Sequence, residues 1–332
     1  MNLAVRFATA LAACVLCFAP LARADDQVSF GLDWVAEPEY GGYYQALATG
    51  IYKKYGLDVT IVEGGPAVNN SELLVAGKMT FVIESNAFLA LNFAQQSVPC
   101  EAVAAGFQKD PDILMAHTGV GDDTFADLKG KPIDISDGSR VSWWLFLKAK
   151  YGYSDSQLRP YGFSLTRFFT DPTTIQEAYV TSEPFLVKEQ TGKLPVVLMI
   201  SDAGFDGYAS IISTSKKLVQ TDPDLVQRFI DASALGWYSF LYGDPSPGFA
   251  AIQQANPDMT TGLLHYGYDQ LKARGIVDSG DAKTYGIYAM TDARWKAFFD
   301  QMAATGLYDK TMDYKAAYTL QFVDKGFGKP KG

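Results

Sequence analysis

The feature that most constrains the fold of this chain is a regular alternation of strand-like and helix-like segments from residue 26 onward. Residues 28–34 have the pattern of a strand, 41–55 that of a helix ended by Gly56, and 57–63 that of a second strand. The same order continues with helices at 72–76 and 86–95 and strands at 79–83 and 101–107. This rhythm predicts an α/β fold with a mainly parallel sheet and helices on both faces.

The rhythm changes at residues 107–111, because 112–117 looks like another strand with no helix before it. A second α/β run follows, with helix patterns at 124–130 and 141–151 and strand patterns at 132–136, 161–168 and 196–200. A strand at 208–213 leads back to the first run, and the chain is helical beyond it. The pattern predicts lobe I from residues 25–108 plus 208–332 and lobe II from 109–207, joined by two crossings as in a clamshell whose hinges close around a ligand.

Residues 1–24 have the composition of a secretory signal peptide. Arg6 precedes an apolar run at 8–21, and Ala22-Arg23-Ala24 supplies the small residues of a cleavage site after Ala24. The run is too short to span a bilayer, which takes about 20 residues of helix. We therefore expect export to the periplasm, and the alternative is a lipoprotein anchored at Cys14 through the sequence at 11–14.

The charge balance excludes several classes of partner. Removing residues 1–24 takes away Arg6 and Arg23 and no acids, so the formal net charge changes from −9 to −9 − 2 = −11. An acidic protein is not attracted to nucleic acid or to anionic lipid. Cys100 is the one cysteine of the predicted mature chain, and we interpret it as a small buried hydrophobe at the start of a strand.

Several segments together carry a family resemblance. They are Gly31-Leu32-Asp33-Trp34, residues 41–46, residues 50–59, residues 74–81 and Glu183-Pro184-Phe185. With these the chain resembles the thiamine-pyrimidine-precursor binding proteins, within the nitrate, taurine and alkanesulfonate group of ABC substrate-binding proteins. The resemblance covers most of the predicted mature chain. It implies a type II periplasmic-binding-protein clamshell, a small-molecule ligand, an ABC permease with its ATPase as partners, and no cofactor; we expect a monomer.

The loop after Trp34 departs from that family. Where pyrimidine-binding relatives usually carry a histidine, this chain has Tyr40, in Ala36-Glu37-Pro38-Glu39-Tyr40. The resemblance implies an aromatic heterocycle such as a thiamine-precursor pyrimidine as ligand. The alternatives are a sulfonate, nitrate or other small anion, and an enzyme of pyrimidine biosynthesis on the same fold. That enzyme would need a reactive histidine or lysine and a cysteine-rich segment, and the segment is missing from this sequence.

The candidate ligand-binding residues of lobe I follow the carboxyl ends of predicted strands, where open α/β sheets bind their ligands. Trp34 can stack on a planar ring or pack as a half-buried core residue. Tyr40 lies beside two glycines that permit close backbone approach. Asn69, Ser85 and Asn86 follow the second and third strands, and each can contact ligand or cap a helix.

Lobe II contributes Ser139, Trp143 and Glu183 as candidates, and Tyr208 is a further candidate where the chain returns to lobe I. Ser139 precedes a helix whose first amides can hold an anion. Trp143 and Trp144 are adjacent on that helix, so they point in different directions and one is expected in the core. Glu183 can accept a hydrogen bond from a ligand amine, and Tyr208 lies near the return crossing. No catalytic residue or metal ligand is predicted, since His117 and His265 are far apart and no cluster has metal-ligand spacing.

Overall fold

The computed structural model describes residues 24–326 and 328–329. The predicted signal peptide, except its last residue Ala24, and the alternative prediction of a lipoprotein at Cys14 lie outside the described residues. None of the helices in the described part of the chain is long and apolar enough to cross a membrane.

Ten strands of the described residues form two five-stranded sheets. The strands are β1 (Asp26–Gly31), β2 (Leu57–Val62), β3 (Phe81–Asn86), β4 (Cys100–Phe107), β5 (Asp112–Ala116), β6 (Ile133–Ile135), β7 (Leu158–Pro160), β8 (Ile175–Tyr179), β9 (Val196–Met199) and β10 (Ala209–Ser215).

The two sheets have the same topology. The first has the order β2-β1-β3-β10-β4, with β1 parallel to β2 and β3, and β10 antiparallel to both of its neighbours. The second has the order β7-β6-β8-β5-β9, with β6 parallel to β7 and β8, and β5 antiparallel to both of its neighbours. Four strands of each sheet therefore run in one direction and one strand runs against them, which confirms the predicted mostly parallel α/β lobes.

Helices cover both sheets and fill the end of the chain. They are α1 (Gly41–Ala48), α2 (Ile51–Lys54), α3 (Asn70–Val75), α4 (Ala87–Gln95), α5 (Asp137–Arg140), α6 (Trp143–Tyr151), α7 (Thr166–Thr170), α8 (Glu183–Thr191), α9 (Lys216–Thr221), α10 (Pro223–Tyr242), α11 (Ser246–Ala255), α12 (Thr261–Ala273), α13 (Ala282–Tyr285) and α14 (Asp292–Ala304).

Side-chain caps set the beginning of several helices. The side chains of Asn69, Asn86 and Ser136 accept hydrogen bonds from the first-turn amides of α3, α4 and α5. Asp222 caps α10 by accepting from the amide of Leu225, and Pro223 and Asp224 are the first two residues of that helix. These residues satisfy amides that would otherwise lack partners, and they fix where each helix leaves its strand.

The first sheet consists of β1 to β4, which end at Phe107, and of β10. The second sheet consists of β5 to β9. The chain passes between the sheets twice, at residues 108–111 and 200–208. The exact limits predicted for the lobes, 25–108 with 208–332 and 109–207, remain a prediction. Helix α12 also contacts the second sheet's layer, because Tyr266 lies 5.4 Å from Phe185 of α8 between ring centroids.

Three segments differ from the sequence prediction. Residues 161–168, predicted as a strand, form a loop and the start of α7, because the short strand β7 ends at Pro160. Strand β8 was not predicted, since it carries buried Gln176 and Glu177 and lacks an apolar alternation. The segment around Glu183, read as a loop before a proline, begins α8, where Pro184 is tolerated in the first turn.

Candidate ligand-binding site

A cavity of about 430 Å³ lies between the two sheets. Its lining comes from the carboxyl ends of the parallel strands of both: Asp33 and Trp34 after β1, Gly65 and Pro66 after β2, Ser85 and Asn86 of β3, Ser136, Gly138, Ser139 and Ser142 after β6, Tyr161 and Phe163 after β7, and Glu177 to Tyr179 of β8. Glu37, Glu39, Tyr40, Leu89, Asp112, Ser182, Glu183 and Leu186 complete it. Equivalent edges of two sheets facing each other form the usual ligand site of open α/β structures.

Aromatic rings from both lobes meet at this cavity. The centroids of Trp34 and Phe163 lie 4.7 Å apart with 42° between the ring planes, and Tyr161 lies 5.1 Å from Phe163. Phe163 is 44% exposed. Its backbone φ is +55°, a conformation that residues other than glycine rarely adopt. Phe163 is thus a large apolar side chain held at the surface against a tryptophan of the other lobe, and exposed ring faces of this kind are suited to stacking.

Tyr40 is tied to the wall of the cavity by its hydroxyl group. It donates a hydrogen bond of 2.6 Å to Oδ1 of Asp33, and only 5% of Tyr40 is exposed. Burial raises the pKa of Asp33, and the hydrogen bond from Tyr40 opposes this shift. Tyr40 therefore orients Asp33, and the face of its ring contributes to the lining.

The start of α5 is occupied by a carboxylate of the protein itself. Glu177 accepts hydrogen bonds from the backbone amide of Ser136 (2.7 Å), the hydroxyl of Ser136 (2.9 Å) and the hydroxyl of Ser139 (2.8 Å). Burial raises the pKa of Glu177, while these three donors lower it. Glu177 therefore already uses the hydroxyls of Ser136 and Ser139, and the amide of Ser139, one of the helix-start amides predicted to hold an anion, donates to the hydroxyl oxygen of Ser136 (3.2 Å).

Three further glutamates, Glu37, Glu39 and Glu183, line the cavity, and Glu37 lies close enough to feel the charges of the other two. Burial and the charges of Glu39 and Glu183 raise the pKa of Glu37 well above its ordinary value. Burial raises the pKa of Glu39 to about 6 and that of Glu183 to about 7. One oxygen of Glu39 accepts a hydrogen bond from the hydroxyl of Thr181, and one oxygen of Glu183 accepts from the amide of Tyr179 (2.8 Å).

The structure brings six of the nine predicted residues to the cavity: Trp34, Tyr40, Ser85, Asn86, Ser139 and Glu183. Asn86 has both of the roles considered for it, since its side-chain oxygen caps α4 by accepting from the amide of Phe88 (3.1 Å) while the residue lines the cavity. Whether each of the six contacts a ligand remains a prediction.

The other three, Asn69, Trp143 and Tyr208, do not line the cavity. Asn69 is exposed and caps α3, accepting from the amide of Glu72 (3.2 Å). Trp143 is fully buried, as is its neighbour Trp144, so both tryptophans belong to the core. Tyr208 is 1% exposed and its hydroxyl donates to Asp281 (2.5 Å), which anchors the C-terminal segment to the return crossing.

Sequence reasoning missed several lining residues, among them Phe163, Tyr161, Glu177 and Asp112. Phe163 and Tyr161 fall in the segment wrongly predicted as a strand, and Glu177 lies on the strand that was not predicted. Glu37 and Glu39 lie in the loop that departs from the family pattern. The presence of two glutamates in this short loop was the signal in the sequence that could have identified them. Among the described residues, no group of three or more histidine, cysteine, aspartate or glutamate side chains is arranged to hold a metal ion.

Two lobes of one topology, with a cavity between the carboxyl ends of their strands, define a protein of the periplasmic-binding-protein fold. The alkanesulfonate-binding protein SsuA of Xanthomonas axonopodis pv. citri, solved with bound MOPS, matches at a TM-score of 0.65 and 15% identity over 90% of this chain and 99% of its own. The periplasmic aliphatic sulphonate binding protein SsuA of Escherichia coli matches at 0.67 and 12%, over 89% and 92%. The desulfurization enzyme DSZB also shares the fold, at 0.57 and 12%, over 90% and 97%.

The chain belongs to the NMT1/THI5-like family, whose model matches residues 37–246, more than half of its length. This confirms the family resemblance seen in the sequence. The riboflavin-binding protein RibY of Chloroflexus aurantiacus is 25% identical over 308 residues, which cover 90% of this chain and 87% of RibY.

Proposed function

We propose that this chain is the solute-binding component of an ABC importer and that its cavity binds a small planar nitrogen heterocycle of the thiamine-precursor pyrimidine type. The observation that carries this proposal is the cavity between the lobes, which combines aromatic rings from both lobes with carboxyl and amide acceptors. Trp34 and Phe163 offer faces for a flat ring, and Glu37, Glu39 and Glu183 offer acceptors for ring amines.

The contacts at α5 favour a heterocycle over a small anion. A sulfonate or nitrate would need hydrogen-bond donors. At this position the amide of Ser136 and the hydroxyls of Ser136 and Ser139 donate to Glu177 instead. Six carboxyl side chains line the same cavity, and they would repel an anion. The similarity to the sulfonate-binding proteins supports the fold of this chain rather than their ligand.

We propose binding rather than catalysis, although an enzyme shares this fold. The hydroxyls of Ser136 and Ser139 donate to a carboxylate, and neither histidine faces the cavity. His117 stacks on Phe168 with 3.9 Å between ring centroids, and His265 contacts Phe249 at 5.0 Å. The pair of nucleophile and base that hydrolytic chemistry needs is therefore not assembled among the lining residues.

The same proposal includes export to the periplasm with cleavage after Ala24, monomeric function, and docking of the closed form to a permease driven by an ATPase. Cell fractionation with mass spectrometry of the mature N-terminus tests the first part. An N-terminus at Asp25 in the periplasm supports it, an N-terminus at lipidated Cys14 selects the lipoprotein alternative, and a cytosolic full-length chain contradicts export.

A thermal-shift screen of residues 25–332 tests the ligand class. The compounds are aminopyrimidines, riboflavin, alkanesulfonates, nitrate and amino acids. A ligand that binds only the native state at about 100 times its Kd stabilises it by roughly 2.7 kcal/mol, which is a readable shift. We expect shifts with aminopyrimidines and none with sulfonates or nitrate; a shift confined to the anions would contradict the proposed ligand, and one confined to riboflavin would select a flavin-type heterocycle.

A further inference from the structure

The charged side chains that line the cavity are all acidic. Six carboxyl side chains line it, and its lining contains no lysine, arginine or histidine: the acids are Asp33, Glu37, Glu39, Asp112, Glu177 and Glu183. Among the ion pairs of the described residues, none includes any of these six. In the ligand-free protein their negative charge has no cationic partner in the cavity.

Two of these acids are satisfied within the protein. Asp33 accepts from Tyr40, and Glu177 accepts from three donors at the start of α5. A carboxylate with several hydrogen-bond donors is stable when buried without any ligand. Asp33 and Glu177 therefore belong to the frame of the cavity, and they leave little capacity for a ligand.

Glu39 is not satisfied in this way. Its Oε2 atom has no hydrogen-bond partner, although the residue is 4% exposed and lines the cavity. Its neighbours Glu37 and Glu183 are half-buried. The charges of Glu39 and Glu183 raise the pKa of Glu37, and the charge of Glu39 raises the pKa of Glu183. Three carboxylates grouped in this way are costly to ionise together unless a positive charge lies beside them.

We propose that Glu37, Glu39 and Glu183 recognise a positively charged group of the ligand, an ammonium, amidinium or protonated ring nitrogen carried by a planar ring. This inference rests on the proposed function, because it places the ligand in the cavity between the lobes. Glu39 supplies its free oxygen as acceptor, and Glu37 and Glu183 supply further negative charge. Trp34 and Phe163 lie at the same cavity, where the ring stacks and its charge gains cation–π attraction from the indole.

The cation changes the protonation of the site. Without ligand, the raised pKa values of the three glutamates leave the group partly protonated near neutral pH. A bound cation favours their ionised forms, so protons are released on binding and affinity for a cation of fixed charge rises between about pH 5 and pH 8. The other titratable groups that line the cavity are Asp33, Tyr40, Asp112, Tyr161, Glu177 and Tyr179.

Matched ligands that differ only in charge test the proposal by titration calorimetry. One pair is 4-amino-5-aminomethyl-2-methylpyrimidine, which is cationic, with its neutral 5-hydroxymethyl analogue. The second pair is benzamidine and benzamide, and benzenesulfonate is the anion. At neutral pH we expect each cation to bind at least tenfold more tightly than its neutral partner. We expect the affinity for benzamidine, whose charge is constant over this range, to rise from pH 5 to pH 8.

The variants Glu37→Gln and Glu39→Gln separate recognition from folding. Each amide keeps the shape and one acceptor of the original side chain, so we expect at least a tenfold loss of affinity for the cation together with equal or greater stability of the ligand-free protein. Glu189→Gln, which removes an exposed charge of α8, is the matched control and keeps the parental affinity.

The outcomes distinguish the two proposals. Tight binding of only neutral or anionic compounds, in these pairs or in the thermal-shift screen, overturns the cation proposal and leaves the cavity as a ligand site. Binding of a cation that both glutamine variants retain also overturns it. Failure of every compound to bind overturns it together with the proposed function.

Discussion

At the scale of single residues, the contact between Trp34 and Phe163 joins two aromatic side chains from different lobes at the edge of the cavity. The two side chains come from different sheets and meet at a centroid distance of 4.7 Å. Neither is a core residue, since Trp34 is half-buried and Phe163 is exposed. An aromatic side chain kept partly accessible beside a cavity is available for a ligand in a way that fully buried Trp143 is not.

Replacing Trp34 by alanine tests this role. We expect Trp34→Ala to weaken binding of the ligand by about 1 kcal/mol or more, because stacking on the indole is lost. Trp34→Phe keeps a ring and loses less. Titration calorimetry measures both affinities, and the far-ultraviolet circular dichroism spectrum controls for folding. Unchanged affinity in a folded Trp34→Ala protein would place the ligand elsewhere.

A second residue, Glu84, makes stability depend on pH. Its side chain is 3% exposed and accepts a hydrogen bond from the hydroxyl of Ser71 (3.0 Å). Burial raises its pKa to about 8 from an ordinary value of 4.5. Between these two values the native state binds more protons than the unfolded state, so this group makes stability fall as pH rises from about 5 to 8.

The variant Glu84→Gln should remove that contribution. We expect it to unfold at a higher urea concentration than the parent at pH 8, where the parent must ionise Glu84 or retain its proton at a cost, and to differ little at pH 5. The slope is at most about 1.4 kcal/mol per pH unit for one group. Glu72→Gln, on the exposed side of α3, is the control and should leave the pH profile unchanged.

At the scale of elements, α1 and α10 approach each other closely because glycines face each other between them. A β-carbon added at Gly236 would lie 2.3 Å from the carbonyl oxygen of Gly42 and 2.6 Å from the β-carbon of Ala46. One added at Gly42 would meet the ring of Trp237 at 2.2 Å. These glycines set the distance between the helices that cover the first sheet.

Gly236→Ala should therefore destabilise the protein, by about 1–3 kcal/mol, because α1 and α10 must separate to make room. Urea unfolding measures the change. Gly138→Ala is the matched control, since a β-carbon there has no heavy atom within 4 Å and the residue lies in a helix. Equal stability of the two variants would show that the helices can shift without loss.

At the scale of the whole molecule, Arg294 of α14 connects the two crossings between the sheets. Its guanidinium group donates to the carbonyl oxygen of Gln108 (2.6 Å) on one crossing, and to Oδ1 of Asp206 (3.1 Å) and the carbonyl of Gly207 (3.3 Å) on the other. It also lies 4.3 Å from the ring centroid of Tyr208. One side chain therefore fixes the two crossings relative to each other.

Arg294→Ala should loosen this hinge without touching the cavity. We expect a severalfold loss of ligand affinity, because apparent affinity falls with the fraction of molecules in the closed form. Small-angle X-ray scattering should show a larger radius of gyration for the ligand-free variant. Lys296→Ala, on an exposed face of the same helix, is the control. Parental affinity and radius in Arg294→Ala would show that the crossings hold their geometry without this side chain.

The sequence by itself determined the α/β alternation, the mostly parallel lobes and the helical end of the chain. It also located Trp34, Ser85 and Asn86 at strand ends that reach the cavity. These features were predictable because they depend on local hydrophobic period, on glycines and on helix caps within a few residues. Strand β8 was not predictable, because its buried Gln176 and Glu177 have hydrogen-bond partners from elsewhere in the fold.

Only the tertiary structure decided what the cavity is made of. The pairing of Glu177 with the start of α5, the contact of Trp34 with Phe163, and the grouping of Glu37 and Glu39 with Glu183 each join residues far apart in sequence. The sequence alone does not show whether a polar side chain will accept a hydrogen bond from a donor that is distant along the chain. The charge that the cavity offers to a ligand follows from which carboxylates remain without such donors, and that depends on how the two lobes meet.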